Sequence, residues 1–189
     1  MAKKPSSGAV ELFHMFDIHN ESRTIFTGHE TNDDCFERFC KNLHHLENIS
    51  VEPITIKMNN IGGDGIIGLA MYDLIAKSKC EITIEVIGSA MSAGSFILQA
   101  ADKRLINANG RVMIHYGSIG IGGSEAKTQY RWVEESRKFD LIMESIYMKR
   151  IKEKNPDYTI GSLRKLLAHD TILDPEQAID LGLIDGVLK

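Results

Sequence analysis

The sequence predicts an α/β domain in which short strands alternate with helices through crossover connections. Short β-branched stretches recur between residues 24 and 114, segments with apolar residues at helical spacing lie between the first of them, and glycine turns punctuate the alternation. A chain of 189 residues suits one such domain around one sizeable core.

The elements follow in order. Thr24-Ile-Phe-Thr is short and β-rich and stops at Gly28, so it reads as a strand. From Asn32 to Leu46, apolar residues at Cys35, Phe36, Phe39, Leu43 and Leu46 make one helical stripe, with Asn32 or Asp33 placed to cap it. Ile54 to Met58 is a second strand, broken by Asn59-Asn-Ile-Gly-Gly63, after which Ile66 to Ala76 reads as helix. Ile82 to Ile87 is a third strand, running into Gly88-Ser-Ala-Met-Ser-Ala-Gly94 and the apolar helical run Phe96 to Ala101. Arg104 to Ile106 and Val112 to Ile114 are two further strands. Ser124 to Lys154 then reads as a long charged helix of about 40 Å, too long for this core to cover, so part of it is expected to pack on another subunit. Two helical pieces over one core are the alternative.

Composition narrows the function. The formal net charge is −4 and the basic residues are scattered, which argues against nucleic acid. Cys35, Cys40 and Cys80 are odd in number and lack the second pair of a zinc site, so they read as reduced thiols of a cytoplasmic protein. The first residues carry lysines but no apolar signal region, and no stretch reaches the ~18 to 20 apolar residues that span a bilayer. Neither metal nor organic cofactor is called for.

One segment carries chemistry. In Gly88 to Gly94, Ser92 stands among Ala90, Met91, Ala93 and Gly94, small or flexible neighbours ahead of a helix. A turn into a helix N-terminus both exposes a hydroxyl and offers N–H groups to an oxyanion. Taken alone, such residues equally serve close helix packing. His115 follows the strand ending at Ile114, where it can reach a neighbouring strand end, and Gly62-Gly63 offers unshielded backbone N–H groups suited to an oxyanion hole. His44 and His45 read as surface residues, and His14, His19 and His29 show no ligand spacing.

These residues resemble the Clp peptidase family, in order along nearly the whole chain. Asn59-Asn-Ile-Gly-Gly63 is similar to its Asn-Ser-Pro-Gly-Gly turn, and Gly88 to Gly94 to its Gly-x-Ala-Ala-Ser-Met-Gly. Arg111-Val-Met-Ile-His115 matches its Arg-Val-Met-Ile-His, and the run from His169 to Asp185 resembles its Arg-Asp-x-x-Leu-Ser-Ala-x-Glu-Ala-x-x-Tyr-Gly-Leu-Ile-Asp. The resemblance implies a crotonase-like spiral of ββα units with a protruding handle at about 124–154, an axial segment at 1–15 and one peptidase domain at 16–189. It assigns the nucleophile to Ser92, the base to His115, the third triad member to Asp170 and the oxyanion donors to Gly63 and Ala93. Substrate would pair as a strand beside Gly63, Asp64 and Gly65 and beside Tyr116, Gly117, Ile119 and Ile121. It further implies stacked, seven-membered rings of the chain itself, unfolded polypeptide as substrate, and an ATP-driven (AAA+) unfoldase as feeder.

Departures mark a divergent member, viral or accessory. Ile61 replaces the turn proline, Ala93 a methionine, and Tyr116-Gly117 a Gln-Pro pair; His169 stands where the family has an arginine that helps join the rings. The stretch from Phe16 to Phe26 is shorter than usual, which bears on the unfoldase. Ser89, Ser95 and Ser118 are alternatives to Ser92, and Asp102, Asp140 and Asp174 to Asp170. Competing functions on the same fold are acyl-CoA chemistry, a non-catalytic assembly or maturation subunit, and a Ser-Lys peptidase using Lys103.

Overall fold

The computed structural model describes residues 15–118 and 125–188; the expected axial segment up to residue 14, and Ile119 and Ile121, lie outside them. Two parallel strands, β3 (Ile54–Asn60) and β4 (Ile82–Met91), form the centre of an eight-stranded sheet. Ile54, Ile56 and Met58 on one, and Ile82, Ile84 and Val86 on the other, are fully buried at alternate positions, the period that sends every second side chain to the same face. On one flank, β2 (Thr24–Phe26) runs parallel to β3 and carries the antiparallel edge strand β1 (Ile18–His19). On the other, β5 (Lys103–Ile106) runs parallel to the first part of β4 and pairs with β8 (Gly186–Val187).

Strand β4 continues four residues beyond Ile87, where the sequence pattern stops, and the reason is a bulge. Register jumps from Met58 opposite Val86 to Asn60 opposite Ala90. Asn59 Oδ1 accepts the Ser89 N–H at 3.0 Å, and a Cβ on Gly88 would sit 2.5 Å from that oxygen, so glycine lets the two strands close. Past the bulge β4 changes partner. Ser89 to Met91 pair in parallel with β6 (Arg111–Ile114), which itself pairs antiparallel with β7 (Thr171–Leu173).

Helix α1 (Asp33–Ile49) is capped by Asn32, whose side chain accepts the Cys35 N–H, and buries Phe39, Leu43 and Leu46. It runs past Leu46 to an exposed Ile49, a final turn held by helix continuity rather than burial. Asp64 caps α2 (Gly65–Ala76) by accepting the N–H groups of Ile66 and Ile67. Helix α3 (Ala93–Ile97) and the 3₁₀ turn Leu98–Ala100 are buried throughout. Helix α4 (Ala126–Lys154) is one unbroken helix of 29 residues, about 43 Å long. Its buried residues, Met143, Glu144, Ile146, Tyr147 and Ile151, all lie in its second half, while Tyr130 and Trp132 in the first half are exposed. Helix α5 (Ile160–Leu167) and helix α6 (Pro175–Leu181), the latter with an Asp174/Gln177 capping box, complete the chain. Among the described residues, no helix is long and apolar enough to cross a membrane.

A buried guanidinium fastens β8. Arg104 is 5% exposed. It donates to both carboxylate oxygens of Asp185, to Gln99 Oε1 at 2.8 Å and to the Gly182 carbonyl at 3.0 Å. Burial pushes the Asp185 carboxyl up, but the hydrogen bonds and charge of Arg104 outweigh it and hold the group below the usual carboxylate range. A depressed folded pKa stabilises the fold above the unfolded value of ~4, and that stability is lost as pH falls through the folded value. Asp185→Asn is therefore expected to cost about 1–2 kcal/mol at pH 7, discounted for the half-exposed carboxylate. Urea midpoints measured from pH 7 to pH 3 should show the gap to the parent closing in acid.

Candidate active site

Strand register brings three polar side chains into line. Ile114 of β6 pairs with Thr171 of β7 in antiparallel fashion, so the next residue along β6, His115, lies opposite the residue before β7, Asp170. Met91 of β4 pairs with Met113 of β6, and the next residue, Ser92, donates its N–H to the Met113 carbonyl at 2.9 Å. The side chains meet accordingly. His115 Nδ1 lies 2.9 Å from Asp170 Oδ1, and His115 Nε2 lies 2.8 Å from Ser92 Oγ. With the proton on Nδ1, the imidazole donates to the carboxylate and accepts from the hydroxyl. The histidine is half-buried, and Asp170 is exposed.

Ser92 sits at φ 49°, ψ −119°, one of three non-glycine residues with positive φ among those described. Such a conformation costs of order 1–3 kcal/mol and persists only where the surroundings impose it. Here they do. Its carbonyl accepts from Ser95 N at 2.9 Å and from Ser95 Oγ at 2.6 Å, and that hydroxyl is in turn 2.6 Å from Tyr147 Oη. Ser95 is thereby spent on structure.

Opposite the hydroxyl, Gly62 and Gly63 have φ of +102° and +141°. A Cβ on Gly62 would stand 2.6 Å from Ser92 Cβ, and one on Gly63 would stand 2.3 Å from the Thr31 carbonyl oxygen. The bridge to Thr31 uses the Gly62 carbonyl (2.7 Å) and the Asp64 N–H (2.8 Å), which turns the intervening Gly63 N–H the other way. Ala93 is the first residue of α3, so its N–H has no partner within the helix. Asn60, 1% exposed, fixes this turn: Oδ1 accepts from Gly62 N at 2.8 Å and Thr31 Oγ1 at 3.1 Å, while Nδ2 donates to the Gly28 carbonyl at 3.0 Å. Sequence reasoning passed over Asn60 and Thr31. An asparagine two residues before a double glycine was the available signal for the first.

A cleft of about 590 Å³ opens in front of these groups, lined by Gly63, Asp64, Gly65, Ser92, Ala93, His115, Gly117 and Ser118. Phe96, Trp132, Phe139, Ile142 and Met143 give it an apolar wall, with Phe96 and Phe139 edge to face at 5.9 Å. Asp64 and Gly65 contribute mainly through backbone, since the Asp64 carboxylate caps α2. Tyr116 is not among the lining residues. Its N–H donates to the Leu167 carbonyl at 2.8 Å and its hydroxyl to Glu144, so it faces α5 and α4.

The other candidates have other partners or positions. Asp102 accepts the Ile82 N–H at 2.7 Å and Asp174 caps α6. Asp140 lines the cleft wall, where burial and then Glu144 push its carboxyl above the usual range. Lys103 lies on β5, His44 and His45 are exposed, and the three cysteines are free thiols.

Comparison with known proteins places the chain in a family. The model of the Clp protease family matches residues 7–189. The ATP-dependent Clp protease proteolytic subunit of Deinococcus radiodurans is 30% identical over 179 residues, covering 92% of this chain and 85% of the relative. The subunit of the same name from Bdellovibrio bacteriovorus is 31% identical over 180 residues, covering 92% and 84%. Among solved structures, a mutant of ClpP1 from Listeria monocytogenes superimposes with a TM-score of 0.74 at 26% identity, covering 89% of this chain and 92% of that one. The family match over most of the chain, the identities and the overall superposition agree, and the chain belongs to the Clp protease family as a proteolytic-subunit homologue with that family's mixed α/β fold.

Proposed function

We propose that the chain is a serine endopeptidase acting through Ser92, His115 and Asp170, with Gly63 and Ala93 as oxyanion donors. The observation that carries this is the continuous hydrogen-bond line from Asp170 through His115 to Ser92, with distances of 2.9 and 2.8 Å. Ser92 Oγ attacks the scissile carbonyl as its proton passes to His115 Nε2, and Asp170 stabilises the resulting imidazolium through Nδ1–H. The oxyanion meets the N–H groups of Gly63 and Ala93. Collapse breaks the C–N bond while His115 returns its proton to the leaving amine; water, deprotonated by the same imidazole, then attacks the acyl carbon, and the acyl C–O bond breaks as His115 returns that proton to Ser92 Oγ. Extended substrate would lie along the backbone of Gly63 to Gly65 on one side and of Gly117 and Ser118 on the other, so main-chain pairing carries affinity with little sequence demand. Intact mass after fluorophosphonate treatment tests the assignment: one adduct mapped to Ser92 is expected, and CoA-ester turnover without an adduct would place the chain with acyl-CoA enzymes instead.

The working form in this proposal is a stacked ring of identical chains in the cytoplasm, enclosing the sites and fed with unfolded polypeptide by an ATP-driven unfoldase. Two observations support it: the long helix α4 leaves Tyr130, Trp132, Leu141 and Ile142 uncovered, and the relatives carry the words "ATP-dependent" in their names. Unfolding a domain costs about 5–15 kcal/mol, which a passive chamber does not supply. Short fluorogenic peptides with an apolar residue before the cut should be hydrolysed without ATP, and a compact protein on the same preparation should survive. Rapid partner-free digestion of the compact protein would refute enclosure.

A further inference from the structure

The segment that follows the base is held by a carboxylate with no part in the chemistry proposed above. Tyr116 comes directly after His115; its N–H donates to the Leu167 carbonyl at 2.8 Å and its hydroxyl to Glu144 Oε1. Glu144 lies on α4 and is 5% exposed. Arg164 grips it from the other side, with Nε donating to Oε1 and Nη2 to Oε2 at 2.9 Å each. Arg164 and Leu167 both belong to α5, and the chain runs from its end through Ala168 and His169 into Asp170. One carboxylate therefore joins the residue after His115 to the helix that delivers Asp170.

Burying a carboxylate is costly, and well-packed apolar residues of similar volume often stabilise a core as well or better, so packing alone does not account for it. What the ion supplies is direction: a bidentate guanidinium pair fixes the carboxylate plane, and the phenol then has one acceptor at one place. The Arg164 hydrogen bonds hold Glu144 below the usual carboxylate range. Burial, and after it the bond to Glu144, pushes the Tyr116 phenol up to about 12, so it keeps its proton as donor at neutral pH.

We infer that Glu144 is a positioning residue: by tying Tyr116 and Arg164 to one point it sets His115 against Asp170 and so aims Nε2 at Ser92. This rests on the peptidase reading. Sequence reasoning gave Tyr116 to the substrate; in the fold it is a strut behind the base.

The test uses the full chain as assembled, comparing the parent with Tyr116→Phe, Glu144→Gln and the double variant. The readouts are kcat and KM on a short fluorogenic peptide, the rate of fluorophosphonate labelling at Ser92, and Tm. Tyr116→Phe keeps the ring and loses only the donor; kcat and labelling rate should fall together by about tenfold, with KM within about twofold, because slight misplacement of reacting groups acts on the chemical step. Glu144→Gln keeps an acceptor oxygen and should lose about threefold, and the double variant should lose less than the product of the singles. A Tm shared by parent and variants separates aim from folding, and should Tyr116→Phe fold poorly, Glu144→Gln carries the comparison alone. Unchanged kcat and labelling in both single variants, losses that multiply, or a loss confined to KM or explained by unfolding would overturn the inference while the parent stays active. A parent that neither labels nor cleaves would overturn the peptidase reading itself, and this inference with it.

Discussion

Ser92→Ala is expected to abolish peptide hydrolysis, by on the order of 10⁴-fold or more in kcat, with Tm close to the parent. Removing one hydroxyl from a turn leaves no cavity of consequence, and the strained backbone at 92 is held by Ser95, Tyr147 and the Met113 carbonyl rather than by the side chain. His115→Ala should be nearly as damaging, and the double variant scarcely worse than either, because on the proposed mechanism nucleophile and base act as a unit. Multiplying losses would mean that the two residues serve different steps, and near-parent turnover in Ser92→Ala would remove the nucleophile assignment altogether. Intact labelling in the parent and none in Ser92→Ala completes the check.

Gly63→Ala is expected to be the next most severe change. At φ +141° an L-residue is strained, and its Cβ would fall 2.3 Å from the Thr31 carbonyl oxygen, a backbone atom that cannot swing aside. The turn must shift, and with it the N–H proposed to meet the oxyanion. Loss of one such donor costs about 10²–10³ in kcat, roughly 3–4 kcal/mol. The drop should appear in kcat more than in KM, together with a lowered Tm from the displaced bridge. Gly161→Ala is the control, since its nearest neighbour is Thr159 Oγ1 at 3.9 Å and its φ lies outside the left-handed range. Parent-like kcat in Gly63→Ala would show that this N–H does not serve the oxyanion.

Periodicity reveals an element only when the element is long enough to repeat. The buried alternation of β3 and β4 and the stripe of α1 meet that condition, and so does α4. Strands β1 and β8 have two residues each and β7 three, too few for any pattern; they exist because a partner strand is already in place. Strand β4 reads as ending at Ile87 because Gly88 looks like a breaker, whereas contact with Asn59 makes glycine the residue that lets the strand continue. At the site, Ser92, His115 and Asp170 stand out through motifs at strand ends, and register brings them together. Tyr116 stands out only as a substrate-strand residue and a departure from the family pattern, and Glu144 does not stand out at all. Which way a residue faces once its strand has ended depends on α5 and α4, and no local spacing encodes the approach of those helices.

The order in which the sheet is completed bears on how the chain is born. Strands β5 and β6 each wait for an outer partner, β8 and β7, drawn from the final stretch of the sequence. During synthesis their edges stay open, and open edges are where strands of other chains add on. At ~5–20 residues per second, the 55 positions between His115 and Asp170 take roughly 3–11 s to make. A ribosome-bound chain thus carries the hydroxyl and the imidazole for seconds before the carboxylate that orients the ring exists. On the peptidase reading, the same interval in which the nascent sheet is most in need of shielding is one in which it has no complete means of cutting its neighbours.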